Sequence, residues 1–393
     1  MPHSFALEQV QSRSFAAVEL HEPLRVSDLP TPALVLNRAA LDRNIAKMAE
    51  HVRTYGKGFR PHAKTHKCPL ICQAQIAAGA VGVCAAKVSE AAALVAAGLD
   101  NVLITSPITT ELKVGVLNEL LLLLADQPDH RIMLVVDSST GLEMLQRGIH
   151  ASARLGLLVD MDVAMGRTGT RDSDQLMRLV GDIEGDDRFR FVGIQHYAGH
   201  LMHVSGFAER REQSLALWDR LTEKIACLED HRIEVEVITG CGTGTYNIDV
   251  EVDLITDLQV GSYIFMDEEY CQIGARDSSR FDDFEVALTV ACATISQPTG
   301  RRITVDGGYK AFASETVAPV ARDIPGVEFH FAGDEHGVLL LGEGQQDIRL
   351  GQVLQFVSPH CDPTVNLHDF YWVQEEDEMI HSCWPITGRG CSW

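Results

Sequence analysis

Apolar residues along this chain recur with two periods, and the balance between them changes once. Between residues 57 and 265 there are eight short β-branched segments, FRPHAK, VGVCAA, NVLITS, RIMLVVD, ARLGLLVDMD, RFVGIQHYAG, EVEVITG and LQVGSYIF. Stretches with helical spacing separate them, the alternation that builds a parallel sheet. Eight such units match a closed (β/α)8 barrel, an α/β fold. Ser89 reads as a helix N-cap, and Gly79 and Gly98 stand where a left-handed residue would end a helix. A doubly wound open sheet would feed one switch-point crevice from few loops, whereas polar residues end nearly every strand here.

Beyond about residue 275 the pattern becomes short alternating strands between Gly, Pro and Asp turns: FEVALTVACATI, RRITVDGG, GVLLLG, VLQFVSP, YWVQEED and MIHSCWPI. This predicts a C-terminal β-rich domain. TPALVLN reads as a further strand, followed by a helix with Leu41, Ile45 and Met48 on one face. The expected division is a barrel over 30–272 and a β-rich domain made of 1–29 and 273–393.

Composition narrows the function. The chain has 393 residues, with 33 basic against 55 acidic side chains, for a formal charge of −22. That charge repels nucleic-acid phosphates and anionic lipid headgroups, so neither is an expected partner. Purely apolar runs such as Leu120 to Ala125 are far below the ~20 residues that cross a bilayer. MPHSFALEQVQSRSF lacks the basic and apolar regions of a secretory signal, which places the chain in the cytoplasm. The ten cysteines show no zinc-finger spacing and read as reduced thiols, Cys68 and Cys72 as core side chains on one helix face.

RPHAKTHK puts Lys64 at the C-terminal end of the first barrel strand, where barrel enzymes keep their chemistry. A lysine there fits an ion pair. It also fits a Schiff-base nucleophile, if cationic neighbours and apolar walls lower its pKa enough to free the amine. GCGTGT, Gly240 to Thr245, follows the seventh strand, and QVGSY ends the eighth. Glycines let backbone N–H groups approach a phosphate, and loops after strands seven and eight bind phosphate in many such barrels.

In VSPHCDPTVNLHD, His360 and Asp362 lie two apart at a strand end, so period-2 alternation points both side chains one way. The pair fits a polar turn. It also fits, less readily on spacing alone, a divalent cation with mixed N/O ligation (Mn²⁺, Mg²⁺, Co²⁺ or Zn²⁺) and open positions for substrate oxygens.

The motifs TPALVLN, PHAKTHK, VGVCAAKVSEA, MGRTG, ITGCGTGT, LQVGSYIFMD, DEHG, HCDPTVNLHD and WPITGRG cover nearly the whole chain. In this order they resemble the alanine racemase-like, fold-type III pyridoxal 5′-phosphate (PLP) enzymes, and most closely the D-threonine aldolase and D-3-hydroxyaspartate aldolase group. The resemblance implies a homodimer whose partner β domain completes the site. It makes Lys64 the Schiff-base lysine and places Arg167 and Tyr197 against the cofactor. Gly242, Thr243 and Gly244, with Gly261 and Ser262, match the phosphate cradle. Gln259 matches the position facing the pyridine nitrogen, His360 and Asp362 match the metal ligands, and His203 matches a histidine near the metal. Asp306 and His336 match family motifs without an assigned role. Cys241, His196 and Ala198 depart from the pattern, which implies an altered pocket beside the ring.

The implied reaction is retro-aldol cleavage of a D-3-hydroxy-α-amino acid to glycine and an aldehyde. Lys64 carries the cofactor, the metal lowers the pKa of the substrate β-hydroxyl, and His203 takes its proton. The rival is a D-serine or 3-hydroxyaspartate dehydratase on the same cofactor and metal. Relatives of that kind carry cysteine as second metal ligand, so Asp362 favours the aldolase. A racemase would not need the metal pair. A non-catalytic PLP carrier would lack the β domain.

Overall fold

The computed structural model describes residues 2–125, 131–150, 155–314, 317–322, 324–342 and 348–393. All eight expected segments contribute strands: Gly58–Phe59, Val83–Ala85, Asn101–Ile104, Arg131–Val136, Leu155–Asp160, Phe189–His196, Val237–Gly240 and Asp257–Leu258. Ala153 and Arg154, at the start of the fifth segment, lie outside the described residues. Neighbouring strands pair in parallel round the sheet. The ring closes between the first and second strands, where Val81 N donates to Phe59 O at 3.0 Å and Cys84 N to Pro61 O at 2.9 Å.

Alternation divides the core in two. Cys84, Leu103, Met133, Val135, Leu158, Val192 and Val237 form a cluster that fills the barrel. The intervening residues, among them Ile132, Leu134, Leu157 and Ile194, join the larger core beneath the helices. Gly79 and Gly98 have φ of +106° and +86° just past their helices, as their positions predict. Ser89 is not the N-cap, which is Lys87; its hydroxyl instead donates to the Trp393 carbonyl at 2.8 Å.

The second sheet has ten strands. Its long strand Leu288–Thr299 pairs antiparallel with Ala33–Asn37, Arg302–Val305 and Val353–Val357. TPALVLN therefore belongs to this sheet and not to the barrel side of a boundary at residue 30. Ala33–Asn37 also runs parallel to Phe370–Gln374, which pairs with Ile380–Pro385. Residues 1–29 are not purely β either. Helix Pro2–Gln11 buries Leu7 and Val10 and packs against the barrel helices Val88–Ala96 and Glu111–Leu123.

What this arrangement does for function is bring the end of Val353–Val357 over the first barrel strand. Tyr371 Oη donates to the His66 carbonyl at 2.6 Å, and Gly388 N donates to the Lys67 carbonyl at 2.8 Å. The second domain thus clamps the segment that carries Lys64.

Candidate active site

The first and eighth barrel strands are short, and each runs directly into a turn. Pairing between them continues through Arg60 N to Leu258 O and His62 N to Val260 O, after which both tighten into 3₁₀ turns, Ala63–Thr65 and Ser262–Ile264. Lys64 therefore stands on a turn just past its strand. Gly261 allows the two turns to touch, because a Cβ there would lie 2.5 Å from Thr65 Oγ1.

A cavity of about 470 Å³ opens over these strand ends. Lys64, Arg167, Tyr197, Gly242, Thr243, Gln259, Gly261 and Ser262 all line it. Gly244 is buried behind the lining, and its carbonyl accepts from Arg210 Nε at 2.8 Å. His203 is exposed at the end of the 3₁₀ turn Gly199–His203 and lies outside the lining among the described residues. His196, the departure expected beside the ring, points out of the barrel and packs on Trp218 instead. Asp306 accepts from Thr31 Oγ1 and Ala293 N, bracing the β domain, and lines a different cavity; His336 is exposed.

The two glycine-bearing turns are tied together, since Thr243 Oγ1 accepts from Tyr263 N at 3.0 Å. Behind them, Asp249 accepts from Thr245 Oγ1 at 2.6 Å and Trp218 Nε1 at 3.0 Å. Arg210, fully buried, donates to the carbonyls of Gly244, Val204, Ser205 and Gly274. Four carbonyl acceptors hold the loops in place with no carboxylate among the described residues in an ion pair with the guanidinium, and burial lowers its pKa.

Across the cavity floor, Gln259 Nε2 donates to Gln195 Oε1 at 3.2 Å, and Gln195 Nε2 donates to Asp160 Oδ1 at 2.9 Å. Arg167 reaches over the Tyr197 ring, 5.3 Å from its centroid, a cation–π contact. His62 shares a hydrogen bond with Thr105 Oγ1 at 3.1 Å, and burial followed by the Lys64 charge holds it neutral.

Lys64 Nζ lies 3.0 Å from Asp362 Oδ2. Its pKa is therefore raised by the carboxylate, not lowered as cationic neighbours would do. Burial alone would raise the Asp362 pKa, but Lys64 and then His360 hold it well below the usual carboxylate range.

His360 and Asp362 are not on a strand. Val353–Val357 ends first, and they are the N-cap and second residue of helix Cys361–Val365. That short helix lies over the Lys64 turn, with His360 Nδ1 turned to Asp267 and Asp362 Oδ2 turned to Lys64. His360 Nδ1 is 2.9 Å from Asp267 Oδ2, which also accepts from Cys361 N at 2.8 Å, while Asp267 Oδ1 accepts from Tyr270 N at 2.9 Å. Asp267, His360 and Cys361 form a candidate cation group by proximity. With Oδ2 on His360 Nδ1, Asp267 is placed to orient the imidazole, and Nε2 is the remaining ring nitrogen. Burial would lower the His360 pKa, but the Asp267 hydrogen bond and nearby carboxylates outweigh it and raise it to about 9.

Among the lining residues His62, Thr105, Asp137 and Gln195 were not singled out from the sequence, although the polar strand ends contain them. Asp267 closes the motif LQVGSYIFMD. Arg210 and Asp249 gave no signal, since nothing local marks their partners.

The description "Alanine racemase, N-terminal domain" matches residues 36–269, and "Putative serine dehydratase domain" matches residues 287–374. A D-threonine aldolase from Arthrobacter sp is 34% identical over 92% of this chain and 93% of its own length. A 3-hydroxy-D-aspartate aldolase from Paracoccus denitrificans (strain Pd 1222) is 30% identical, covering 93% of each. The crystal structure of D-threonine aldolase from Filomicrobium marinum superposes with a TM-score of 0.90 at 34% identity, covering 96% of this chain and 100% of that one.

Proposed function

We propose that this chain, which belongs to the alanine racemase-like family of PLP barrels, cleaves D-3-hydroxy-α-amino acids of the D-threonine type to glycine and an aldehyde. The observation that carries the reading is the 3.0 Å contact between Lys64 and Asp362, which sets a ligand-type carboxylate from the β domain beside the barrel's cavity lysine. The full-length likeness to two aldolases supports it.

The residues present fit both expected groups. Lys64 and two tied glycine turns face a cavity of about 470 Å³, and a carboxylate stands near an imidazole whose Nδ1 is already engaged. Lys64 would hold PLP covalently, with the turns at Gly242, Thr243, Gly244, Gly261 and Ser262 around its phosphate. Arg167, Tyr197 and Gln259 would contact its ring. His360 and Asp362 would hold a divalent cation, Mn²⁺, Mg²⁺, Co²⁺ or Zn²⁺. When bound, PLP supplies an electron sink and the cation a Lewis acid.

Gln259, a neutral amide already donating to Gln195, adds no charge at the ring nitrogen. His62, held neutral, leaves the positive charge on that side to Lys64. Lys64 then moves the proton at substrate Cα. We assign the β-hydroxyl proton to His203, whose turn carries Met202 against Gly242 and Gly244, with Lys64 as the second candidate. Ten free cysteines support a reducing, cytoplasmic setting. We further propose a homodimer in which the partner's β domain completes the site.

The serine dehydratase match over 287–374 makes β-elimination the competing reading, and Asp362 favours the aldolase. Incubation with D-threonine, D-3-hydroxyaspartate, D-phenylserine and D-serine, with and without a chelator, separates the two. Glycine plus aldehyde is expected; ammonia plus keto acid would overturn the assignment.

A further inference from the structure

We propose that a second pocket, on the outer side of the sixth barrel strand, binds a small organic monocarboxylate. The pocket has a volume of about 250 Å³ and lies between that strand and helix Phe207–Asp230. His196, Arg171, Arg220 and Lys224 line it, with Leu217 and Leu221 as apolar walls. It is separate from the cavity that holds Lys64.

His196 points to a ligand. It is only 6% exposed, and neither ring nitrogen has a hydrogen-bond partner among the described residues. A buried imidazole normally finds at least one partner. The surrounding charges say what kind would serve. Arg171, Arg220 and Lys224 put three cations around one small space, and Lys224 Nζ donates to the Arg171 carbonyl at 2.8 Å. In a chain of net charge −22, that is a local reversal. Arg171 Nε is paired with Asp162 Oδ2 at 3.2 Å, and Asp162 and Asp172 both face Lys224. Three cations against two carboxylates leave one positive charge in excess, which suits a monoanion. The leucine walls suit a short alkyl or aryl body.

An occupant would adjoin the supports of both cofactor-facing loops. His196 packs on Trp218, 4.6 Å between ring centroids, and Trp218 donates to Asp249 beneath the glycine turn. Asp162 accepts from Gly166 N at 3.2 Å, next to Arg167.

The test uses the purified full-length protein with ¹³Cε1-labelled histidine, the His196 signal being assigned by its loss in His196→Gln. Propionate and benzoate are titrated against phosphate and chloride at matched ionic strength. A saturable shift of the His196 signal with the carboxylates and none with chloride is expected. Arg220→Glu and Lys224→Glu, checked for folding by thermal midpoint, should weaken it about tenfold or more, as loss of a charged hydrogen bond does. No saturable shift, or equal affinity in both variants, overturns the site. Saturation by phosphate alone overturns the carboxylate assignment.

Discussion

Asp362 of the β domain and Lys64 of the barrel meet at 3.0 Å, Oδ2 to Nζ. One carboxylate thus stabilises the ammonium form of the lysine and, in the proposed function, would join His360 in holding a cation. Asp362→Asn keeps the shape and removes the charge. The variant is expected to retain its cofactor absorbance but lose at least ~10²-fold in kcat, the scale of a lost metal contribution. Added divalent metal should no longer restore the rate, and restoration to wild-type turnover would contradict the assignment of Asp362 as a ligand.

Asp267 tests orientation apart from ligation. Its Oδ2 holds His360 Nδ1 at 2.9 Å, so Asp267→Asn should weaken metal binding by ~10–100-fold without abolishing it. Titration of the metal-free protein with Mn²⁺, followed by electron paramagnetic resonance, reads the change. Unaltered affinity would remove Asp267 from the site.

The glycines differ in what a methyl group would strike. At Gly261 an added Cβ meets Thr65 Oγ1 at 2.5 Å, on the turn that bears Lys64; at Gly242 it meets Met202 Sδ at 2.6 Å, on a flexible side chain. Gly261→Ala is expected to weaken PLP binding about tenfold or more, and Gly242→Ala less, since methionine repacks readily. Equilibrium reconstitution measures both, and the reverse order would refute the close approach of the two turns.

Arg210 donates to four carbonyls from a fully buried position. Arg210→Met leaves those acceptors unpaired and should cost about 3–5 kcal/mol of stability, seen in the denaturant midpoint. Arg210→Lys should rescue little, because an ammonium cannot reproduce the planar fork. Full rescue by lysine would show that charge alone matters.

Burial, with Lys224 adding to it, lowers the His196 pKa from 6.5 to about 3. Between those values the unfolded chain binds a proton that the folded chain does not, so stability falls as pH decreases from about 6.5 toward 3. The slope for one such group is at most about 1.4 kcal/mol per pH unit. His196→Gln should therefore show a shallower decline in urea midpoint between pH 6.5 and 5; parallel curves would show that His196 is not a buried neutral base.

Local pattern alone reached far into this fold. All eight barrel segments and the β-rich C-terminal third appear where the apolar periods placed them, because strand and helix periodicity is written in consecutive residues. Lys64 was legible as a cavity residue because a polar residue past a barrel strand faces the open end of the ring. His360 and Asp362 do not sit on a strand end as their spacing suggests, since the strand stops at Val357 and a short helix begins at Cys361. Ser89 failed as a cap for a similar reason: its hydroxyl had a distant partner at Trp393.

What the sequence determined by itself is the kind of chemistry: a lysine, two glycine-bearing turns after strands seven and eight, and an imidazole with a carboxylate. Only the tertiary structure decided how they act together. Lys64 lowers the Asp362 pKa from the other domain, Asp267 engages Nδ1 of His360, and Arg210 holds the glycine turn from behind. His196 turns away from the cavity into a pocket of its own. Each of these depends on distance between residues far apart in the chain, and Coulombic and hydrogen-bonding energies act over a few ångströms of space, not along sequence.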